Sequence, residues 1–358
     1  MIYQRFYNAI PVRKTVSDAS LFLLSGEEIR YIKRRENITI LLSALIGILM
    51  VLVLYLPQYW WPFLFPVHTF HIPFLDTPLA FSLVALVYGM ALVFLEIALL
   101  TLLHIYCTHE IAFAIGFINE ETKYADDKKS LLLSIGQEKK NKDIISLGLD
   151  PYYGLKKSSV FIMNLFFALK ATLSNLVFKI LIQRVLGRYA VREIMDLVGI
   201  PVFAFWNAWG TRKVLREARI IIMGQNYLDF FMAELKDHRP LTEEEKKRLY
   251  DTLQYITMSK RDYHKNHYLL AKMLIEHFGI NKEKQHGLPP HFYEQLQATA
   301  DDFKELNEKV LLLGFILDGS LSVKERLRIR KLNHMKIVRK TAEEVDAMLE
   351  RFIYGKGM

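Results

Sequence analysis

Cysteine is nearly absent from this sequence, since Cys107 is the only one in 358 residues. A single thiol excludes an intramolecular disulfide, so nothing supports a secreted, cross-linked fold. Low-complexity tracts are absent too, and an aromatic content of 13% excludes a disordered chain. P-loop, GxGxxG, HExxH and GxSxG patterns are also missing. The sequence therefore predicts a non-catalytic protein without a cofactor.

Positive charge is missing from one stretch of the chain. Residues 56–76 contain no Lys or Arg, although the whole sequence holds 47. Uncharged runs at residues 39–56 and 78–95 flank this stretch. A helix needs about 20 apolar residues to cross the hydrocarbon core of a bilayer. We therefore predict two transmembrane helices, over residues 39–56 and 78–104, joined by an outer loop over residues 57–77. The alternative is two buried helices of a soluble core.

Basic residues lie on the other sides of the two runs. They include Arg30, Lys33 and Lys128. Cytoplasmic flanks keep Lys and Arg, whereas short translocated loops lose them. This pattern predicts a multi-pass protein of the bacterial inner membrane with both termini in the cytoplasm. Trp60 and Trp61 then form an aromatic belt at the outer headgroups. The net charge of +9 is explained by contact with anionic phospholipid and not with nucleic acid.

The middle of the chain, residues 108–237, contains apolar segments separated by basic ones and is predicted to be a membrane-associated helical region. Residues 160–186 predict a helix at the inner interface. Its Lys170, Lys179 and Arg184 are expected to contact lipid by extending their charged ends toward the headgroups.

A second apolar segment, residues 195–210, is interrupted by Gly199 and Pro201. We predict a re-entrant or protein-buried turn there. The alternative is a four-span arrangement in which both middle segments cross the bilayer, against the charge rule. LVGIPVFAFWNAWGTRKVLREARIIIMG resembles the closing segment of the EcsC family. That resemblance implies a membrane-associated accessory of transport or secretion, with no established active site.

Four polar residues form one stripe along the second predicted span and its cytoplasmic continuation. They are Glu96, His104, Cys107 and Glu110. An ionisable group inside a span marks either an ion path or a buried pairing. Under the structural interpretation, Glu96 lies close to the inner headgroups and the stripe packs against Lys170 or Lys179. The alternative is a proton path, and with it a small transporter or channel component.

The C-terminal part, residues 238–358, reads as a helical bundle without strand alternation. Three helix starts carry a capping box, in which a Ser or Thr and a Glu satisfy free N–H groups. The pairs are Thr242 with Glu245, Ser322 with Glu325, and Thr341 with Glu344. Apolar residues recur at helical spacing, as at Phe303, Leu306, Val310, Leu313 and Leu317. These features predict a domain that closes its own core.

LLLGFILDGSLSVKERLRIRKL resembles the TerB family, and the resemblance extends over residues 241–352. TerB-like domains are thought to bind metal ions through clustered acids. Only Asp318 and Glu325 match that pattern here, so the resemblance implies a metal site in which few ligands are present. The other interpretation is that Asp318 caps a turn and Gly319 takes a positive φ.

ITMSKRDYHKNHYLLAKML repeats the same rhythm and indicates a duplicated helix-turn-helix. In this first copy Ser259 and Lys260 replace Asp-Gly, and Asn266 replaces the Glu. His264 and His267 are the nearest approach to a zinc motif, but no third ligand is evident. We expect both to be exposed and solvated, and no metal.

Together these features predict an all-α integral membrane protein. It consists of a basic leader over residues 1–38, a transmembrane hairpin over residues 39–107, a membrane-associated helical middle and a TerB-like cytoplasmic bundle. The predicted role is a scaffold or sensor that recruits other membrane or cytoplasmic proteins, in envelope stress or transport. It acts as a monomer or a homo-oligomer.

Overall fold

The computed structural model describes the chain over the following residues: 2–11, 23–70, 79–119, 122, 124–137, 143–154, 199–262, 264–283, 286–298 and 301–357. Residues 160–186, which include Lys170, Lys179 and Arg184, lie outside the described residues. Their predicted interfacial helix stays a prediction.

The described chain is all-α apart from one short ribbon, as the sequence predicts. The helices are α1 Ile2–Ala9, α2 Gly26–Trp60, α3 Leu83–Ala114, α4 Asp126–Gly136, α5 Gly199–Glu234, α6 Glu243–Lys260, α7 Lys265–Phe278, α8 Phe292–Gln297, α9 Asp301–Ile316, α10 Val323–His334 and α11 Ala342–Ile353. The ribbon pairs strand β1, His68–Phe70, antiparallel with strand β2, Leu79–Phe81. Short 3₁₀ turns lie at Pro62–Leu64, Asp143–Leu147 and Leu235–Asp237.

Two of the described helices, α2 and α3, are long and apolar enough to cross a membrane. In the most apolar 18-residue segment of α3 only 6% is buried, and in the corresponding segment of α2 28% is buried. A core helix of a soluble protein shows the opposite, because its apolar residues are covered by other elements. Both helices exceed their predicted spans, since α2 begins at Gly26 and α3 continues to Ala114. Pro57 lies in the last turn of α2 without ending it.

The long helices α2, α3 and α5 pack side by side. Gly47 of α2 permits a close approach to α5, because a Cβ at this position would meet Phe203 O at 2.9 Å and Asn207 Nδ2 at 2.8 Å. Helix α5 runs antiparallel to α2, since Asn207 lies at Gly47 whereas Arg219, further along α5, lies 3.3 Å from Glu36, nearer the start of α2. Small residues at helix contacts allow such close backbones both in membranes and in water.

Helix α5 replaces the turn predicted over residues 195–210. That prediction is wrong for residues 199–210, which are the first turns of a single 36-residue helix. Pro201 is tolerated because it lies in the first helical turn, where a backbone N–H has no intrahelical acceptor. Phe203, Phe205 and Trp206 are exposed along this first part of α5.

The described parts of the predicted leader, residues 2–11 and 23–38, pack into the fold. Tyr7 of α1 is fully buried, and its ring lies 5.3 Å from that of His109, edge to face. Ile32 of α2 is also buried. The backbone N–H of Leu24 donates to Gly355 O at 2.8 Å. The N-terminal region therefore contacts the C-terminal end of the chain, which sequence patterns do not reveal.

The C-terminal helices begin where the capping boxes predict. Reciprocal hydrogen bonds are present at Thr242, Ser322 and Thr341, and a fourth box at Ser25 starts α2. The apolar positions predicted for α9 and the turn after it are all buried. They are Phe303, Leu306, Val310, Leu313 and Leu317.

Most of the buried apolar residues, from Tyr7 to Phe352, form one continuous cluster. The second half of α5 lies inside it and contacts α7 and α11. The Asn266 side chain of α7 donates to Ile220 O of α5 at 3.0 Å and to Leu317 O at 2.8 Å. The division at residue 238 stays a prediction, but this core is shared across it.

Candidate functional site

A buried lysine lies between the two carboxylates of the predicted TerB-like turn. The Lys260 Nζ donates to Asp318 Oδ1 at 2.8 Å, to Ser320 O at 2.7 Å and to Glu325 Oε2 at 3.2 Å. The lysine side chain is 0% exposed, and those of Asp318 and Glu325 are 10% and 7% exposed. We call Lys260, Asp318 and Glu325 the Lys260 cluster.

The local structure on both sides holds this cluster in place. Gly319 has φ +68°, as predicted for the turn that follows α9. Asp318 Oδ1 also accepts from the backbone N–H of Ser320 at 3.1 Å. Glu325 closes the capping box of α10 by accepting from the backbone N–H of Ser322 at 2.7 Å. A backbone N–H therefore orients each carboxylate independently of Lys260.

The two helix-turn-helix units match in a register one residue away from the predicted one. Lys260 and Asp318 are 58 residues apart in the chain. The two residues with positive φ that follow them, Arg261 and Gly319, have the same separation. So do the N-caps of the next helices, His264 and Ser322. The register therefore aligns Lys260 with Asp318, and not with Gly319. The equivalent residues of the two turns carry opposite charges and pair with each other.

Lys260 pairs with both carboxylates of the Lys260 cluster and offsets one of their two negative charges. Burial raises the pKa of the Asp318 carboxyl, but the charge and hydrogen bond of Lys260, together with His267 and His264, lower it by more in total, so this pKa lies below its usual value. Among the described residues, no group of three or more His, Cys, Asp or Glu is arranged to hold a metal ion. The Lys260 ammonium occupies the place between Asp318 and Glu325 that the TerB-like resemblance would give to a metal, so these residues do not fit one.

The two histidines nearby are buried, so the prediction that they are solvated is wrong. His267 donates through Nε2–H to Gly314 O at 2.9 Å. Burial lowers its pKa to about 3. His264 is the N-cap of α7, accepting from Asn266 N through Nδ1 at 3.2 Å, and its Nε2 lies 3.0 Å from Glu217 Oε1. Both histidines serve helix packing.

Glu96 of α3 is paired with an amide of α5. The Asn207 Nδ2 donates to Glu96 Oε1 at 2.7 Å. The predicted partners Lys170 and Lys179 lie outside the described residues. Because α3 begins at Leu83 and not at residue 78, Glu96 is about 20 Å from the start of the helix at about 1.5 Å per residue. It lies beside Asn207, which faces Gly47, within the apolar run of α2.

The rest of the polar stripe on α3 also contacts α2 and α5. His104 Nε2 lies 2.9 Å from Thr211 Oγ1. Glu110 accepts from Tyr31 OH at 2.5 Å and pairs with Arg35 at 3.2 Å. Cys107 is buried. The four predicted residues thus share one side of α3, and Glu96, His104 and Glu110 bind separate partners.

Several residues of these sites have no strong signal in the sequence. Asn207 lies in the segment predicted to be a turn, residues 195–210, and Thr211 follows it directly. Glu36 and Arg219 form an ion pair with side chains 14% and 13% exposed, and both read as ordinary flanking charges. Only the position of Asn207 in an apolar run, between Trp206 and Ala208, singles it out.

Comparison with known proteins gives no relative for this arrangement. No family model, no curated protein and no solved structure matches the chain. The resemblances to the TerB and EcsC families therefore stay predictions. The fold and the polar contacts define a class only: a helical protein with two helices that could span a membrane.

Proposed function

We propose that this chain is a membrane-anchored, non-catalytic scaffold or sensor that recruits partner proteins through its C-terminal helical bundle. The observation that carries the proposal is the continuity of α5. Its first part exposes Phe205 and Trp209, and its later part buries Ile222 and Phe231. One unbroken helix therefore packs beside the apolar helices α2 and α3 at its start and enters the core of the C-terminal bundle further along. A movement of the membrane helices would be transmitted to the bundle through this helix.

The exposed apolar surface supports membrane insertion. Large apolar side chains point away from the fold along both α2 and α3. They include Leu41, Leu45, Leu49, Leu86, Val87, Met90, Val93 and Phe94. Contiguous apolar patches of this kind are rare on soluble monomers, whereas lipid chains cover them without cost. A bilayer around these helices accounts for this exposure.

The charge pattern supports an inner-membrane orientation with both termini in the cytoplasm. The loop between α2 and α3 has no Lys or Arg, and Trp60 and Trp61 are exposed there. Arg212 and Lys213 follow the aromatic part of α5, on the side where α2 carries Lys33. These cations then lie at the inner headgroups.

Cysteine labelling tests the orientation. In a Cys107→Ser background, His68→Cys should react with an impermeant thiol reagent in intact bacterial cells, because His68 is exposed in the outer ribbon. Asp127→Cys, in the exposed first turn of α4, should react only after the cells are opened. Labelling of residue 127 but not residue 68 in intact cells would reverse the topology.

Partner recruitment rests on the TerB-like character proposed for the bundle, and membrane association on the EcsC-like character of the start of α5. The partners are other membrane or cytoplasmic proteins in envelope stress or transport, including a second copy of the chain. The Lys260 cluster supports a structural and not a catalytic bundle, since its charges are all paired with one another.

The second candidate function is a small transporter or channel component, and the depth of Glu96 favours it. A carboxylate beside Asn207, level with Gly47, lies well inside the apolar run of α2. Ionisable groups at such depth often belong to ion or proton paths. The two functions differ in what they require of Glu96.

Glu96→Gln separates the two functions. A glutamine keeps an oxygen that accepts from Asn207 Nδ2, so we expect only a modest loss of thermal stability in detergent. Glu96→Leu leaves the Asn207 amide unpaired and should cost about 1 kcal/mol more. For a scaffold, proteins that co-purify from membranes in mild detergent should be the same with Glu96→Gln as with the natural chain, and proton flux into liposomes should not differ.

A bundle variant provides the comparison. Gly319→Val, which disturbs the turn after α9, should remove the co-purifying chains while the protein stays in the membrane. Loss of a proton-dependent flux in Glu96→Gln, with stability and co-purification retained, would instead establish the transporter and reject the scaffold.

A further inference from the structure

A cavity of about 690 Å³ opens where α2, α5 and α11 meet. Its cationic lining comes from Lys33 of α2 and from Arg212, Arg216 and Arg219 of α5. Apolar side chains complete the wall at Ile40, Leu215, Leu349 and Ile353. The volume lies in the range of small-molecule sites.

The lining cations are only partly used within the protein. Arg212 has no ion-pair partner in the described part of the chain. Lys33 lies over the ring of Tyr354, with its Nζ 5.2 Å from the centroid, and Arg216 Nη2 donates to Gly319 O at 2.7 Å. Arg219 pairs with Glu36, but its Nε has no hydrogen-bond partner among the described residues.

The acidic residues of the lining are Glu36, Asp346 and Glu350. Arg326 already binds Asp346 from outside the cavity, with Nε 2.8 Å from Oδ2 and Nη2 2.9 Å from Oδ1. Glu36 is bound by Arg219. The cavity therefore keeps an excess of positive charge, opposed by Glu350.

The position of the cavity identifies the kind of anion. Ile40 belongs to the apolar run of α2, and Lys33 precedes that run, so the cavity lies at the inner headgroup level of the membrane placement proposed above. Guanidinium and ammonium groups bind phosphate oxygens through charge-assisted hydrogen bonds. Basic pockets between membrane helices on the cytoplasmic side bind anionic headgroups.

We infer that this cavity binds the phosphate headgroup of an anionic phospholipid, which bridges the membrane helices to α11 of the bundle. The acyl chains leave past Ile40 toward the exposed apolar sides of α2 and α5. The inference rests on the proposed membrane placement, and it adds a ligand through which the bundle senses the composition of the inner leaflet.

The test uses the full-length protein in a mild uncharged detergent, with thermal unfolding as the readout. Phosphatidylglycerol should raise the melting temperature by several degrees, and phosphatidylcholine should not. Arg212→Gln should raise the phosphatidylglycerol concentration needed for half of this effect by about fivefold, the value for one cation near an anionic surface. Lys33→Gln should act similarly, and neither exposed side chain is required for folding.

Lys213→Gln is the matched control. Lys213 is next to Arg212 and exposed, but it lies over Trp209, 5.3 Å from the ring centroid, and does not line the cavity. It should change the half-effect concentration by less than twofold. An equal loss with Lys213→Gln, or equal stabilisation by phosphatidylcholine, would reject the site in favour of general surface attraction.

Inorganic phosphate, added alone up to millimolar concentration, should protect far less than the lipid. Full protection by phosphate would show a soluble-anion site and reject the lipid. Alkaline extraction of membranes is a separate check, because release of the protein there would overturn the proposed membrane function itself, whatever the lipid titration gives.

Discussion

Lys260→Met should destabilise the protein by about 3–5 kcal/mol, because it leaves two buried carboxylates without their cation. Methionine keeps most of the volume of the lysine stem, so packing changes little. Asp318 and Glu325 are held by Ser320 N and Ser322 N and cannot turn out to solvent without breaking the turn and the cap of α10. Urea unfolding in mild detergent, followed by circular dichroism, measures the loss.

The pH dependence distinguishes lost charge pairing from lost packing. In the natural protein Asp318 has a lowered pKa, so its stabilising effect is complete above the usual carboxyl pKa of about 4 and disappears as the pH falls through the folded value. Without Lys260, burial alone raises that pKa. The penalty of Lys260→Met should therefore be smaller at pH 5 than at pH 8.

Lys309→Met is the control for charge removal. Lys309 pairs with Glu305 at 3.4 Å, and both side chains are more than half exposed. Such surface pairs contribute about 0–1 kcal/mol. A penalty for Lys260→Met as small as this one, or a penalty that does not depend on pH, would contradict the role given to the Lys260 cluster.

Gly319→Val should destabilise the protein by about 3 kcal/mol, from backbone strain and overpacking together. Gly319 has φ +68°, a region that β-branched residues rarely adopt, and a Cβ there would overlap the side chain of Ile220 in α5. The same residue accepts from Arg216, so the strain reaches both α5 and the turn. Thermal unfolding in detergent should show a clearly lowered midpoint.

Gly279→Val separates the two contributions. Gly279 has φ +61° at the end of α7, but nothing lies within 4 Å of its added Cβ. Only the backbone strain of about 1–2 kcal/mol should appear there. Ser320→Ala should be nearly neutral, because Ser322 is the cap of α10. Equal penalties at residues 279 and 319 would mean that the Ile220 contact relaxes freely.

The features that sequence patterns predict here are local ones. The uncharged runs predict α2 and α3, and the Ser/Thr-x-x-Glu patterns predict the starts of α6, α10 and α11. These signals work because a helix start is decided by groups within one turn. The turn of Asp318 and Gly319 is predicted for the same reason.

The prediction fails where long-range packing overrides a local signal. Gly199 and Pro201 predict a turn, but the contact of α5 with Gly47 and the position of Pro201 in the first helical turn favour a continuous helix. Tyr7 and Ile32 lie in a stretch that reads as a basic leader, yet both are buried. Neither burial can be predicted without knowing which distant residues cover them.

The sequence by itself determines that this protein is helical and that it carries two runs long enough to span a bilayer. Length, charge and capping residues suffice for that, because they act between residues close in the chain. The tertiary structure alone decides the partners of the polar residues. Lys260 meets Asp318 across 58 residues, and Asn207 meets Glu96 across 111. Such pairs depend on how helices pack, and packing is the sum of many weak contacts that no short pattern contains.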